Sequence, residues 1–290
     1  MKRIFFILFF VLSLFNSVLA FNWKVLHEKA DNLALAQALK NVELKPESID
    51  ELYVLGLVYL NLYKDKEAKQ IFDKVSLIDS NSTEAIWAQA ELLRRRHELD
   101  KSEEILNRVI KINPDFAPAY ISMAYIKYIK MDFEASVKLA LKVMEQGRDK
   151  VDITNYVRAY CLYAGGKGMI AHYGGPLSKI INGTVVLSTL KKAQELQPNS
   201  AAVMLGLGSF YLLAPALAGG DIQKAQEYLE EAVSVDPLMA DAYVRLAQAY
   251  QIQGDNNKYN LYLDKALSID PLNEVALDIK NNNCKFICVK

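Results

Sequence analysis

The chain has little cysteine, little histidine and no surplus of charge. Three cysteines in 290 residues are too few for a disulfide framework, so a packed core must hold the fold. Cys161 stands alone in an apolar stretch and reads as core. Cys284 and Cys288 read as two thiols on a frayed tail, with a bridge or a metal site as alternatives. His27, His97 and His172 lie far apart, and none has a second metal ligand at helical spacing, so no metal or other cofactor is expected. Lys plus Arg is 34 and Asp plus Glu is 34. A nucleic-acid partner would need a basic excess to neutralise phosphates, so none is expected. Beyond the first twenty residues no run of roughly 18 apolar residues is available to span a bilayer.

Catalytic motifs are equally sparse. Gly165-Gly166-Lys167-Gly168 lacks the leading glycine of a phosphate loop, has Gly168 where a Ser or Thr should hold magnesium, and follows no strand. Ser188-x-x-Lys191 has the spacing of a serine–lysine acylase but neither companion motif. Asn81-Ser82-Thr83 and Asn182-Gly183-Thr184 would matter only as glycan acceptors in a eukaryotic secretory setting. The expectation is a protein that is not an enzyme.

What the chain does have begins with a leader. Lys2-Arg3 precedes an apolar run from Ile4 to Phe15, and Val18 and Ala20 sit at −3 and −1 of a small-residue cleavage site. Residues 1–20 therefore read as a signal peptide. The expected address is outside the cytoplasm, the periplasm in a double-membraned bacterium. Without Lys2 and Arg3 the mature chain would carry 32 basic against 34 acidic groups, about −2.

The rest is periodic. Ala240 to Asn273 is a 34-residue unit, ADAYVRLAQAYQIQGDNNKYNLYLDKALSIDPLN. Tyr243, Leu246, Ala247 and Tyr250 stripe a first helix, Gly254-Asp255 breaks it, Leu263 and Ala266 face back from a second, and Asp270-Pro271 stops it. The same spacing runs without a gap through 49–82, 83–116 and 117–150. Small residues recur at one place in the first helix (Gly56, Ala90, Ala124, Gly208, Ala247) and one in the second (Ala68, Ser102, Ser136, Ala225). Two helices approach to about 8–10 Å only where the crossing carries little side chain. Ala90→Leu should therefore cost about 1–3 kcal/mol by overpacking; an unchanged melting temperature would reject this register. Tyr259 breaks the second-helix rule, which predicts a splayed last pair.

These positions resemble the tetratricopeptide repeat (TPR) family over most of residues 46–273. The resemblance implies an all-α, right-handed superhelical solenoid of antiparallel helix pairs, with a concave groove that takes a peptide or a segment of another protein. The expected organisation is a capping helix over 21–48, three regular repeats over 49–150 and an irregular repeat over 151–200. Two repeats over 201–273 and a helix or tail over 274–290 follow. In the irregular repeat two helices should bracket a glycine-rich loop, 164–183; a second insertion, 213–221, should sit in the turn of the next. The stretch Pro215 to Val233, PALAGGDIQKAQEYLEEAV, is similar to part of the T component of tripartite ATP-independent (TRAP) transporters, a periplasm-facing helical-repeat protein thought to work with a solute-binding partner. No cysteine for lipid attachment stands near the leader's end.

Carried onto this chain, the family's groove positions are Tyr53, Leu57, Leu60 and Asn61, then Trp87, Glu91, Arg94 and Arg95, then Ile121, Tyr125, Tyr128 and Ile129. Ser209, Leu212, Val244, Gln248 and Gln251 continue the line. Tyr53, Leu57, Trp87, Glu91, Arg94, Arg95, Tyr125 and Tyr128 are the expected partner-binding residues, since aromatics and arginine dominate binding hot spots. Arg94 would clamp a carboxylate, and Trp87→Ala with Arg94→Ala should weaken a partner without unfolding the protein. The expected function is an exported, non-catalytic scaffold for another protein. The alternative is a transport accessory that handles a small organic ligand beside a solute-binding protein.

Overall fold

The computed structural model describes residues 22–287; the signal peptide expected over 1–20, and Cys288, lie outside them. Among the described residues there are fifteen α-helices, one short 3-10 turn and no strand. The helices α1 (Trp23–Asn32) and α2 (Leu35–Leu44) come first. Six antiparallel pairs follow: α3 (Ile49–Asn61) with α4 (Asp65–Ile78), α5 (Thr83–Arg95) with α6 (Leu99–Ile112), and α7 (Ala117–Ile129) with α8 (Phe133–Gln146). Then come α9 (Ile153–Tyr173) with α10 (Pro176–Leu196), α11 (Ala201–Leu213) with α12 (Ile222–Val235), and α13 (Ala240–Ile252) with α14 (Asn256–Ile269), closed by α15 (Glu274–Lys280). This is the all-α stack that the periodicity implies.

Local chemistry starts and stops the helices. Ser48, Ser82, Asp132, Asp152, Asp221, Asp255 and Asn273 each accept a backbone N–H at a helix N-terminus, satisfying donors that the helix cannot. The small residues lie where the helices touch. Ala90, Ala124, Ala247, Ala68, Ser102 and Ala225 are fully buried, and Ser102 Oγ donates to the Ala90 carbonyl at 2.7 Å. A Cβ on Gly208 would stand 2.6 Å from Leu229 Cγ, so only glycine allows α11 and α12 to close.

Four expectations need correction. The single capping helix is two helices, because Leu33 and Ala34 are extended. The glycine-rich loop of 164–183 is helical: α9 and α10 each run 21 residues and turn only at Gly174-Gly175. Glycine costs about 1 kcal/mol inside a helix relative to alanine, but here close packing needs it. A Cβ on Gly166 would meet Val137 Cγ2 of α8 at 2.6 Å. The last pair is not splayed either: α13 and α14 touch as extensively as α11 and α12. The Tyr259 ring is half-buried beside the cluster around Tyr243, Ala247 and Leu263 instead of wedging the helices apart. Finally, Cys284 is disulfide-bonded rather than a free thiol. No helix among the described residues is long and apolar enough to cross a membrane.

Candidate functional site

The first helices of the pairs line the concave side, and both ends of the described chain fold into it. At the start, α1 lies across the first three pairs. Trp23 packs edge-on to Phe116 at 5.4 Å, and His27 lies 5.5 Å from the Trp87 ring and 5.8 Å from that of Tyr53. Asn155 Nδ2 lies 3.4 Å from His27 Nδ1; the amide donates, which leaves the other ring nitrogen to donate to Tyr53 Oη at 2.9 Å. Burial pulls the His27 pKa down to about 4, so α1 docks with a neutral imidazole. At the far end, residues 285–287 fold back against α13.

The superhelix also closes on itself. Tyr63 Oη donates to Asp236 at 2.6 Å. His97 Nε2 donates to Asp270 at 2.9 Å and Nδ1 to Glu274 at 2.8 Å. Two carboxylates accepting from both ring nitrogens require the imidazolium. The bonds to Asp270 and then Glu274 raise its pKa to about 9. These contacts follow the repeat. Tyr63 and His97 are one 34-residue period apart, and so are Asp236 and Asp270. Both residues, and Met131 one period further, hold positive φ of 56°, 61° and 63°, where the last repeat has Gly254 at 79°. Side chains other than glycine rarely adopt that conformation. Here it aims Tyr63 and His97 at the opposite rim, and Met131 onto the core cluster of the C-terminal pairs.

Between these contacts lies a cavity of ≈ 1910 Å³, larger than the roughly 300–1,000 Å³ of an ordinary small-molecule pocket. Both departures from the period reach its wall, through Ile180 and Leu187 of α10 and through Pro215 and Leu217 around the 3-10 turn Ala216–Ala218.

Of the expected partner-binding residues, Leu57, Trp87, Glu91, Arg94, Arg95, Tyr125 and Tyr128 line this cavity. Tyr53 does not: it is fully buried under His27, because α1 occupies the groove there. Trp87 is nearly as buried, and its Nε1 donates to Ser122 Oγ at 3.1 Å. Ser122 donates to Glu91 Oε2 at 2.8 Å. Arg94 forks onto Glu91 at 2.9 and 2.6 Å, and its guanidinium lies 4.5 Å from the Tyr125 ring centre. Burial pushes the Glu91 pKa up, but Arg94 beside it holds it down to about 2. Arg95 is spent on Asp65 at 2.9 Å. The expected carboxylate clamp at Arg94 and Arg95 is thus already satisfied by the chain's own acids, one turn and one repeat away.

The free guanidinium is elsewhere. Arg158 of α9 lines the cavity, is exposed to it, and makes no hydrogen bond or ion pair among the described residues. Sequence reading missed it because the groove positions carried over from the family skip the irregular repeat in which it lies. It also missed His97, Asp270 and Glu274, although non-glycine residues at the Gly254 position of successive repeats were a readable signal. Cys161, expected as core, lines the cavity too, and burial pushes its thiol up to about 12, which leaves it unreactive near neutrality.

Residues 134–282, just over half of the chain, match the model of the TRAP transporter T-component family. The chain belongs to that family. The matched T-component region runs from α8 through α15 and so carries both insertions, Arg158 and the acidic side of the closure. Tetratricopeptide repeat protein 21B of Homo sapiens is 23% identical over 189 residues; the match covers 65% of this chain and 13% of that protein. The chain thus spans only a small part of that relative's length. The fold is shared with proteins of known structure. The APC/C hetero-tetramer Cut9–Hcn1 superposes with a TM-score of 0.61 at 12% identity, over 88% of this chain and 46% of that one. A tetratricopeptide repeat protein from Parabacteroides merdae gives 0.52 at 14% identity, over 89% and 96%. The architecture of this T-component is therefore TPR-like.

Proposed function

We propose that the chain is an exported, non-catalytic accessory component of a solute transporter, and that its central cavity holds a small organic anion delivered or received by a solute-binding protein. The reading rests on one observation: Arg158 is a charged side chain on the wall of a large cavity in which the other arginines are already engaged. A guanidinium presents paired donors that match a carboxylate. Leu57, Ile121, Leu162 and Leu205, which line the same cavity, suit the apolar remainder of such a molecule. Family membership supports a role beside a transporter. The covering of Tyr53 and Trp87 by α1 argues against a long peptide running the full length of the groove.

Calorimetric titration with a panel of small mono- and dicarboxylates, amines and neutral solutes tests the reading. Carboxylates alone should bind. Arg158→Ala should weaken them about 30-fold, corresponding to about 2 kcal/mol for a lost charged hydrogen bond, and Arg158→Lys should recover part of it. Equal binding by Arg158→Ala, or a preference for amines, would reject the proposal.

A further inference from the structure

The irregular pair is built inside out at its tip. α9 and α10 each have 21 residues, against 13 or 14 in the helices of the other pairs. A Cβ on Gly166 would lie 3.4 Å from the carbonyl of Phe133, the first residue of α8. Residues 167–173 therefore run about 10 Å past the start of α8. Inside this tip the contacts are polar. Lys167 Nζ donates to Asn182 Oδ1 at 2.9 Å, Asn182 Nδ2 donates to Ser178 Oγ at 3.1 Å, and Ser178 Oγ donates to the Ile170 carbonyl at 3.1 Å. The outer face is apolar. Leu177, Ile180 and Ile181 follow the spacing of one helix face and are 70%, 65% and 58% exposed. Tyr173 is half-exposed at the end of α9. The second insertion repeats the feature. Its 3-10 turn joins α11 to α12 as Gly174-Gly175 joins α9 to α10, which puts both at one edge of the stack, and Leu217 on that turn is fully exposed.

Charge selects what covers this face. Between Asp152 and Asp221 the only acid is Glu195, while Arg158, Lys167, Lys179, Lys191 and Lys192 are basic; the chain as a whole has 34 charges of each sign. Both insertions lie in this acid-poor stretch. Lys179 is exposed on α10, and so is Lys285, whose carbonyl accepts from the Tyr173 hydroxyl at 2.7 Å. An exposed apolar face flanked by lysines and a tyrosine suits the boundary layer of an anionic bilayer. The apolar side chains enter the acyl region, the lysines meet lipid phosphates, and the tyrosine sits at headgroup depth. A second copy packed face to face would instead set the cations against each other. We propose that the α9–α10 tip docks on a bilayer containing anionic phospholipid through Leu177, Ile180 and Ile181, with Leu217 as a second point of contact. The helices lie at the interface and do not cross it. The inference does not depend on the anion reading, because Arg158 lines the cavity and takes no part in it.

The test uses residues 21–290, which include every described residue and omit the apolar leader that would itself bind lipid. The protein should float with vesicles of three parts phosphatidylcholine to one part phosphatidylglycerol. It should bind vesicles of phosphatidylcholine alone at least tenfold more weakly, and added salt should weaken the binding to the mixed vesicles. Leu177→Ser with Ile181→Ser, neither position lining the cavity, should keep the wild-type melting temperature and lose at least tenfold in vesicle partition. Leu177→Trp reports insertion directly: phospholipid brominated on its acyl chains should quench the added emission, beyond any quenching of Trp23 and Trp87 in the wild type. This arm decides the matter if the double variant does not fold. Undiminished partition of the folded double variant, equal binding to neutral vesicles, or unquenched Leu177→Trp emission would overturn the proposal. So would a wild-type oligomer that the double variant dissociates, because the face would then belong to a second copy.

Discussion

Trp87→Ala should unfold the first half of the superhelix rather than merely weaken a partner. Trp87 is 6% exposed and packs against His27 and Phe116 while its Nε1 holds Ser122. Truncating a buried tryptophan costs about 3–5 kcal/mol, and here it also removes the surface on which α1 lies. Denaturant unfolding should show a loss of that size, and hydrogen exchange should show α1 released first. Adding Arg94→Ala compounds the loss by leaving the Glu91 carboxylate without its counter-charge. A wild-type midpoint with α1 still protected would show that the aromatic cluster carries no stability. The same docking predicts an acid response. His27 has its pKa lowered by burial from 6.5 to about 4, so its contribution is present above pH 6.5 and is lost as the pH falls toward 4. Exchange protection of α1 should decline across that window.

His97→Ala should open the ring. The substitution removes the cation that bridges Asp270 and Glu274 at 2.9 and 2.8 Å and leaves two carboxylates facing each other. Removing one member of a fully buried pair costs 3–5 kcal/mol; this half-buried cluster should lose about 2 kcal/mol after water returns to the acids. Small-angle scattering should report a larger radius of gyration. His97→Gly separates the clasp from the backbone. Glycine relieves the positive φ of 61°, worth about 1 kcal/mol, so it should be more stable than His97→Ala yet equally open. The folded pKa of His97 is raised to about 9. Its stabilisation is therefore complete below pH 6.5, declines as the pH rises and is gone above 9. His97→Ala should lack that alkaline decline. An unchanged radius in both variants would show that the rims are joined by packing alone.

Much of the helical stack was readable because its causes are local. Apolar spacing, N-caps such as Ser48 and Ser82, and the stop at Asp270-Pro271 act within a few residues, and small residues such as Ala90 and Gly208 mark each crossing. Local rules failed where packing overrode them. The glycines of 165–168 look like a loop until Val137 is seen against Gly166, where close packing of α8 on α9 leaves no room for a Cβ. The candidate site was less legible. The groove positions identified the concave side, but occupancy could not be inferred from them: Tyr53 lies under α1, Arg94 and Arg95 are paired with Glu91 and Asp65, and the unpaired Arg158 sits in the irregular repeat.

By itself, then, the sequence determined that helices form, where each regular pair turns, and which side of its first helix faces inward, since all of these follow from interactions spanning at most one repeat. The tertiary structure decided what that inward side meets. Small rotations between neighbouring pairs accumulate along the superhelix until Tyr63 reaches Asp236 and His97 reaches Asp270, each 173 residues away. A residue's fate as core, clasp or free ligand group therefore depends on a curvature summed over the whole stack, which no single repeat encodes.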